Sequence, residues 1–246
     1  MIPKILHYCW FGRGEFSEKM LICFKSWRNY LPEYEIREWN EDNFDINFNM
    51  YVKQAYKSKR YAFVSDYVRL YALYNYGGIY LDTDVEILKP LDKFLNHYSF
   101  SGFECKDCVP TAVMGSEKHS PIIKEMLSYY DGRFFINNKG EMDTTTNVKI
   151  ITNLLIKKGL KLNGKKQTIE GLCLYPQIYF APNTISMIFS KKPINSYAIH
   201  HFEGSWIQDK KSNSRIRKYI VGNIRNLIGT ERLIKLKSFR YNTKQK

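Results

Sequence analysis

Two aspartates, Asp82 and Asp84, flank one threonine directly after a short apolar segment. Carboxylate oxygens are the hard ligands that Mg²⁺ and Mn²⁺ prefer, and such ions commonly bridge a protein to substrate phosphates. In an extended chain the two side chains point to opposite faces, so a turn is needed before both can approach one ion. Because a D-x-D pair also arises by chance, two solvated turn acids remain the alternative interpretation.

Upstream of these acids, Asp66 and Arg69 stand three residues apart in a segment with helical spacing. That spacing places both side chains on one helical face, where Arg69 can reach Asp66, the downstream acids or a phosphate. An isolated pair of this kind is usually a surface salt bridge. This pair has mainly apolar and aromatic neighbours: Tyr61, Val64, Tyr67, Val68, Tyr71 and Leu73. The pattern therefore indicates the wall of a site.

The surrounding pattern predicts an α/β fold that carries these residues. Strands are predicted at 4–11, 34–39, 79–81 and 197–201, and helices at 18–30, 61–76, 121–130 and 146–157. Residues 174–180 look extended. Ser17 is expected to cap the first helix, and Gly77-Gly78 to end the second. A strand, a helix and a strand open a parallel sheet, and ligands bind at the carboxyl ends of its strands.

Composition restricts the classes of protein to consider. Hydrophobic residues make up 44% of the 246, which excludes a disordered chain and suits one domain with an appendage. The net charge is +14, but residues 207–246 hold 12 lysines and arginines against 2 acids, so the body carries only +4. We therefore expect no nucleic-acid partner. Five scattered cysteines and the lack of an apolar leader favour a cytoplasmic protein.

The basic tail has an amphipathic pattern. Its apolar residues recur at helical spacing: Ile216, Ile220, Ile224, Leu227, Ile228, Leu233, Ile234, Leu236 and Phe239. Lysines and arginines lie between them, as in helices that bind anionic lipid surfaces. The pattern predicts a helical extension that holds the protein on the inner face of the plasma membrane. A helix packed on the domain, with a solvated basic face, is the alternative.

The motif SDYVRLYALYNYGGIYLDTD, preceded by IPKILHYCWFG and followed by HHFEGSW, resembles the family 32 glycosyltransferases. These DXD-containing sugar transferases include bacterial capsule and lipopolysaccharide enzymes and fungal mannosyltransferases. The chain is more distantly similar to the glucosylating domains of large clostridial toxins. The resemblance covers residues 1–206. It implies a Rossmann-like GT-A domain, a nucleotide-sugar donor, Mn²⁺ or Mg²⁺, and transfer with retention of anomeric configuration.

The resemblance also implies roles for individual residues. Trp10, flanked by Cys9 and Phe11, matches the aromatic residue that stacks on the nucleotide base, and a buried core tryptophan is the alternative. Ser65, Asp66 and Arg69 match residues that touch the ribose and the donor sugar. Tyr80 and Asp82 match donor-binding positions, and Asp84 matches the metal ligand. We expect Asp82, Asp84 and Arg69 to be the catalytic residues.

The distal motif would close the site. A neutral imidazole can complete an oxygen-rich metal site, so His201 is predicted to join Asp84 and Asp82 as a ligand, while His200 points to the opposite face. Either histidine could instead be a hydrogen-bonded core residue. Ser205 and Trp206 offer hydroxyl and indole donors to the donor β-phosphate.

Two weaker features complete the set. Cys105 and Cys108 have zinc-like spacing, but no second pair of ligands follows at the expected distance. Residues 144–147 lie where the family carries a Thr-Gly-Pro-like element, although the glycine and proline are absent here.

The resulting prediction is a hexosyltransferase of surface polysaccharide synthesis, with residues 1–206 as its catalytic domain. A UDP-sugar is favoured over GDP-mannose as donor, and the acceptor is expected to be a glycan or a lipid-linked oligosaccharide. The main alternative is a non-catalytic nucleotide-sugar or glycan-binding protein, which would not need Arg69, Asp82 and Asp84 together. A glycoside hydrolase would leave the metal-type acid pair unexplained.

Overall fold

A computed structural model describes residues 1–105, 108–182 and 195–202 of the chain. In chain order its strands and helices are β1 (Ile5–Cys9), α1 (Glu18–Tyr30), β2 (Glu35–Trp39), α2 (Met50–Lys57), α3 (Tyr61–Tyr76), β3 (Gly78–Leu81), β4 (Val85–Ile87), β5 (Ser99–Gly102), β6 (Val113–Ser116), α4 (Pro121–Ser128), α5 (Asn147–Lys157), β7 (Gln167–Ile169), β8 (Leu172–Tyr175) and β9 (Ala198–His200). Short 3₁₀ helices lie at Asp92–Phe94 and Gln177–Tyr179.

Seven strands form one mixed sheet in the order β2-β1-β3-β6-β5-β8-β7, and β4 pairs with β9 in a separate two-stranded sheet. Strand β1 runs parallel to β2 and β3, and β5 runs parallel to β8. The remaining pairings, β3 with β6, β5 with β6, β7 with β8 and β4 with β9, are antiparallel. The predicted α/β fold class is confirmed, as is the parallel β1-β2 opening.

Buried side chains form two apolar clusters. Along β3, Tyr80 belongs to one cluster and its neighbours Ile79 and Leu81 belong to the other. This alternation shows that β3 is covered on both faces, as expected for a central strand of a sheet with helices on both sides. Trp27 of α1 lies on the side of Ile79 and Leu81, and α3 packs on the side of Tyr80.

The helix ends follow the expected local chemistry. The Ser17 hydroxyl accepts a hydrogen bond from the Met20 amide at 3.3 Å, and α1 ends before Pro32. Gly77 and Gly78 have φ angles of +68° and +102°, a region that side chains other than glycine rarely adopt. The two glycines therefore turn the chain from α3 into β3 without an intervening loop.

Three details differ from what the sequence pattern indicates. The apolar residue Leu21 of α1 is exposed, and Cys23 is buried. The extended segment expected at 174–180 ends at Tyr175, because the chain turns into a 3₁₀ helix after Pro176. Cys105 and Cys108, which have zinc-like spacing, are joined by a disulfide, while Cys9, Cys23 and Cys173 are buried and form no disulfide.

No helix among the described residues is both long and apolar enough to cross a membrane. The predicted helical extension at 207–246 and the domain boundary at residue 206 lie outside the described ranges and stay predictions.

Candidate active site

A tight turn after β3 brings the two predicted acids together. The Asp82 amide donates to the Ala112 carbonyl at 2.9 Å, and the Val85 amide donates to the Asp82 carbonyl at 3.0 Å. The chain thus leaves the sheet at Asp82 and enters β4 at Val85. Because this segment is not extended, the side chains of Asp82 and Asp84 can point towards one place.

Strand β9 supplies the third member of this group. Val85 lies opposite His200 in the antiparallel β4-β9 pair. Asp82, Asp84 and His200 each offer one ligand atom, and these atoms all lie within 4.8 Å of one another. Two carboxylates and one imidazole are a donor set that suits Mn²⁺ or Mg²⁺. The residues therefore fit the divalent cation that the D-x-D motif implies.

The predicted placement of the two histidines is wrong. His200 Nε2 lies 3.3 Å from Asp84 Oδ1, whereas His201 Nε2 lies 2.9 Å from Glu86 Oε2. Glu86 pairs with Ile199, so Glu86, Ile199 and His201 share the opposite face of the β4-β9 pair. The structure therefore assigns His200, and not His201, to the acidic cluster.

Arg69 links the acids to the helix behind them. Its guanidinium lies 3.1 Å from Asp82 Oδ1 and 3.2 Å from Asp66 Oδ1, and it donates to the Thr111 hydroxyl at 2.8 Å. The guanidinium also stacks on the Tyr80 ring at 4.6 Å. Burial alone would lower the Arg69 pKa, but the carboxylates and Tyr80 raise it above its ordinary value. Arg69 is therefore a fixed positive charge at the carboxyl end of β3.

The other predicted donor-site residues on α3 and β3 surround this guanidinium. The Ser65 carbonyl accepts from Arg69 Nε at 3.2 Å, and the Tyr80 hydroxyl donates to Asp82 Oδ1 at 2.9 Å. Tyr80 is almost fully buried, so its hydroxyl group holds the Asp82 carboxylate from the protein interior. The structure thus brings Ser65, Asp66, Arg69, Tyr80 and Asp82 together.

Burial changes the acid-base behaviour of the cluster. Burial raises the pKa of Asp66 to about 6, although the nearby Arg69 opposes the shift. Burial alone would lower the pKa of His200, but hydrogen bonds to Asp84 and Glu104 raise it to about 10. The two carboxylates therefore favour the protonated form of the His200 imidazole.

The predicted base-binding segment lies at the end of β1. The Trp10 ring is partly exposed, lies 4.9 Å from the Phe16 ring, and donates its Nε1–H to the Gly14 carbonyl at 2.8 Å. Cys9 and Phe11 are buried within an apolar cluster, so their side chains are not available to a ligand. Among these three residues, Trp10 alone presents a ring at the surface, and its stacking role stays a prediction.

Ser205 and Trp206 lie outside the described residues, so their predicted contacts with the β-phosphate stay untested.

Three polar residues of the site escaped the sequence prediction. Thr111 accepts from Arg69, and Glu104 lies 2.9 Å from His200 Nδ1. Both belong to the β5-β6 connection, where no periodicity or motif marks them. Asn147 lies in the first turn of α5 and donates to the Asp66 carbonyl at 3.3 Å. The sequence marks its segment but indicates no role for it.

Residues 17–101 match the family model described as glycosyltransferase sugar-binding region containing DXD motif. This segment contains Asp66, Arg69, Asp82 and Asp84, and it covers about a third of the chain. Residues 17–101 are therefore similar to a glycosyltransferase sugar-binding region. The acidic turn after β3 has the D-x-D pattern that the description of this family model names.

Curated relatives match about half of the chain. Inositol phosphoceramide mannosyltransferase 3 of Schizosaccharomyces pombe is 31% identical over 134 residues, which cover 51% of this chain and 36% of the relative. An uncharacterised glycosyltransferase of Acanthamoeba polyphaga mimivirus is 30% identical over 135 residues, which cover 50% and 53%. The matched part of the chain thus spans about a third to a half of the length of these two relatives.

The fold also resembles solved glycosyltransferases at low identity. The PaToxG glycosyltransferase gives a TM-score of 0.48 at 18% identity, covering 64% of this chain and 69% of that one. The galactosyltransferase LgtC gives 0.46 at 14% identity, covering 89% and 95%. The α/β class follows from the sheet and helices of the chain itself, and the GT-A type stays a prediction.

Proposed function

We propose that this protein is a retaining, metal-dependent glycosyltransferase that transfers a hexose from a nucleotide sugar to a glycan acceptor. The observation that carries the proposal is the convergence of Asp82, Asp84, His200 and Arg69 at the carboxyl end of β3. An oxygen-rich cation site beside a buried, permanently charged guanidinium is suited to the diphosphate of such a donor.

The chemistry requires stabilisation of a leaving group. The bond between the anomeric carbon and the β-phosphate oxygen breaks, and its electron pair remains on the nucleoside diphosphate. A divalent cation held by Asp82, Asp84 and His200 would supply positive charge next to that diphosphate. Arg69 supplies a second positive charge, which its carboxylate partners and Thr111 hold in a fixed orientation.

For the transfer itself, we propose attack on the face that the diphosphate leaves. The acceptor hydroxyl oxygen forms the new bond to the anomeric carbon, and its proton passes to the departing phosphate oxygen. This route gives retention without a protein nucleophile. It is supported by the role of Asp82 as a partner of Arg69 and Tyr80, which leaves it poorly placed to attack a sugar.

For the donor, we propose a UDP-hexose, with GDP-mannose as the second candidate. The Trp10 ring could stack on either base. The mannosyltransferase name of the fission-yeast relative favours the second candidate. The donor base and sugar are therefore best determined by direct competition between UDP-glucose, UDP-galactose and GDP-mannose.

For the acceptor, we propose a lipid-linked glycan of surface polysaccharide synthesis. The relative named for inositol phosphoceramide supports an acceptor on a lipid. The basic, amphipathic sequence of residues 207–246 suits an enzyme that works at the inner face of the plasma membrane. A cytoplasmic location with peripheral attachment to that membrane follows from this proposal.

The test is release of nucleoside diphosphate from each donor sugar, with Mn²⁺ and with chelator. We expect turnover of one donor with Mn²⁺, loss of turnover with chelator, and a loss of at least 100-fold in Asp84→Asn. Glu86→Gln, on the opposite face of β4, should keep wild-type activity. Metal-dependent binding of a donor without transfer or hydrolysis in any acceptor screen would instead support the non-catalytic binding protein.

The configuration of the product tests the retaining mechanism. Proton NMR of the first product formed should show the same anomeric configuration as the donor. An inverted product would overturn the same-face route and leave the metal site intact.

A further inference from the structure

We propose that Glu104 is a positioning residue of the metal site, because its carboxylate orients the His200 imidazole towards Asp82 and Asp84. The inference rests on the proposed function, since it assumes that these three residues hold a cation. Glu104 does not belong to the D-x-D motif, and it lies just after β5, outside the segment that matches the family model.

The two ring nitrogens of His200 face different carboxylates. Nδ1 lies 2.9 Å from Glu104 Oε1, and Nε2 lies 3.3 Å from Asp84 Oδ1. When Nδ1–H donates to Glu104, the lone pair of Nε2 is left for a metal ion. Because the two nitrogens lie on different edges of the ring, Glu104 acts on the ion through the imidazole and not as a ligand on the same side.

The surroundings hold both partners in place. The Glu104 amide donates to the Cys108 carbonyl at 3.2 Å. The Glu104 and His200 side chains are only 18% and 13% exposed. The Phe202 ring packs on the His200 ring with centroids 4.0 Å apart. A carboxylate held this way restricts the rotation of the imidazole more than a solvated ion pair would.

The chain contains a matched control on the other face of the β4-β9 pair. His201 Nε2 and Glu86 Oε2 are also 2.9 Å apart, and their side chains are 16% and 23% exposed. This pair resembles His200 and Glu104 in chemistry and burial, but the cation group found in the described residues does not include it. Equal substitutions in the two pairs therefore separate an effect on the metal site from a general loss of a histidine–glutamate contact.

The experiment measures Mn²⁺ affinity of the full chain by the electron paramagnetic resonance signal of free Mn²⁺, with Mn²⁺ alone and with added UDP. We expect Glu104→Gln to bind Mn²⁺ about 10- to 100-fold more weakly than the wild type. Glu104→Asp should recover part of this loss, and Glu86→Gln should bind as the wild type does. Thermal unfolding of each variant controls for a change in folding.

A spectroscopic signature tests the role of the imidazole directly. Bound Mn²⁺ in the wild type should show ¹⁴N coupling from a histidine, which should be absent in His200→Ala and present in His201→Ala. In Glu104→Gln at saturating Mn²⁺ the coupling should be weaker or heterogeneous, since the ring is no longer held in one orientation.

The outcomes distinguish the two proposals. If the wild type binds Mn²⁺ and Glu104→Gln binds it equally well, the positioning role is overturned and the proposed function stands. Equal weakening in Glu86→Gln would also overturn it, because the effect would not be specific to the site. If the wild type binds no Mn²⁺ with or without UDP, both proposals fail.

Discussion

Arg69 combines four contacts that a lysine cannot reproduce together. Its planar group reaches Asp66, Asp82 and Thr111 while it stacks on Tyr80. A lysine keeps the charge, but it lacks the planar fork that bridges two carboxylates. The catalytic value of Arg69 under the proposed function therefore depends on its geometry as much as on its charge.

We predict that Arg69→Lys lowers kcat for donor turnover by about 100-fold. Arg37→Lys is the matched control, since Arg37 pairs with Glu35 on β2 and is not part of the acidic cluster. Steady-state kinetics with the donor that turns over in the release assay would check the prediction. An Arg69→Lys enzyme with wild-type kcat would show that orientation of the guanidinium is unimportant.

A second buried basic residue, His7, stabilises the folded protein. Its Nε2–H donates to the Gly77 carbonyl at 2.7 Å, and its Nδ1 accepts from Trp39 Nε1 at 3.1 Å. The ring thus connects β1, the end of α3 and the end of β2. Burial lowers the pKa of His7 to about 4, so the neutral form persists in the folded protein.

His7 should make the protein less stable in mild acid. The unfolded chain takes up a proton near the ordinary pKa of 6.5, but the folded chain resists it until about 4. The stability that neutral His7 provides is therefore complete above pH 6.5 and is lost as the pH falls towards 4, by up to ~3 kcal/mol.

Urea unfolding of wild type and His7→Gln between pH 4 and 7.5 would measure this dependence. The difference in unfolding free energy should narrow as the pH falls, while His119→Asn, at an exposed position, should follow the wild type throughout. A constant difference between wild type and His7→Gln would contradict the assignment.

At the scale of elements, the direct turn from α3 into β3 brings Arg69 of α3 close to the acidic turn that follows β3. Gly78 has a φ of +102°, and a Cβ built there would lie 2.5 Å from the Ile5 carbonyl oxygen. Gly140 also has a positive φ, +79°, but no atom lies within 4 Å of its Cβ position. Both glycines have a left-handed backbone, but only the Cβ position of Gly78 is crowded by neighbouring atoms.

We predict that Gly140→Ala lowers the free energy of unfolding by about 1 kcal/mol, the effect of the backbone alone. Gly78→Ala should lower it by ~3 kcal/mol or more, because β1 must also move. Urea unfolding of both variants checks the comparison. Equal losses would show that the close approach of β1 and β3 can relax freely.

The elements that could be predicted are those with a clear marker in the sequence. The bounds of α1 and α3 agree with the prediction, because helical spacing, the Ser17 cap and the glycine pair all mark them. Strands β5, β6 and β7 have three or four residues and were not predicted, since so few residues carry no period. The insertion of antiparallel β6 between β3 and β5 is set by tertiary packing.

The same reasoning explains the partial success at the site. Asp66, Arg69, Asp82 and Asp84 come from one continuous stretch, and local spacing related them correctly. The choice between His200 and His201 required the register of β9 on β4, which adjacent identical residues do not reveal. Glu104 contacts the site through His200, and the position of His200 depends on that register.

At the scale of the whole molecule, charge is distributed unevenly along the chain. Residues 207–246 carry +10 of the net +14, and their apolar residues recur at helical spacing. A basic amphipathic segment gains about 1 kcal/mol per lysine or arginine near an anionic bilayer. The membrane prediction for the tail thus rests on sequence alone.

We predict that the full chain floats with vesicles containing phosphatidylserine and that 0.5 M salt releases most of it. Replacing Arg215, Arg217, Lys218 and Arg225 by glutamine should reduce flotation at least tenfold, by loss of attraction to the anionic surface. Replacing Lys19, Lys25, Lys53 and Lys57 instead should have little effect. Equal flotation of both variants would contradict a role of residues 207–246 in binding the anionic surface.

The pairing of β4 with β9 has a consequence for synthesis of the protein. The two aspartates leave the ribosome early, but the imidazole that joins them is encoded 116 residues after Asp84. A nascent or truncated polypeptide that stops before Ala198 contains the complete D-x-D motif and lacks the nitrogen ligand. Under the proposed function, all three residues can bind an ion only after translation has passed residue 200, so such an unfinished product lacks part of the proposed site.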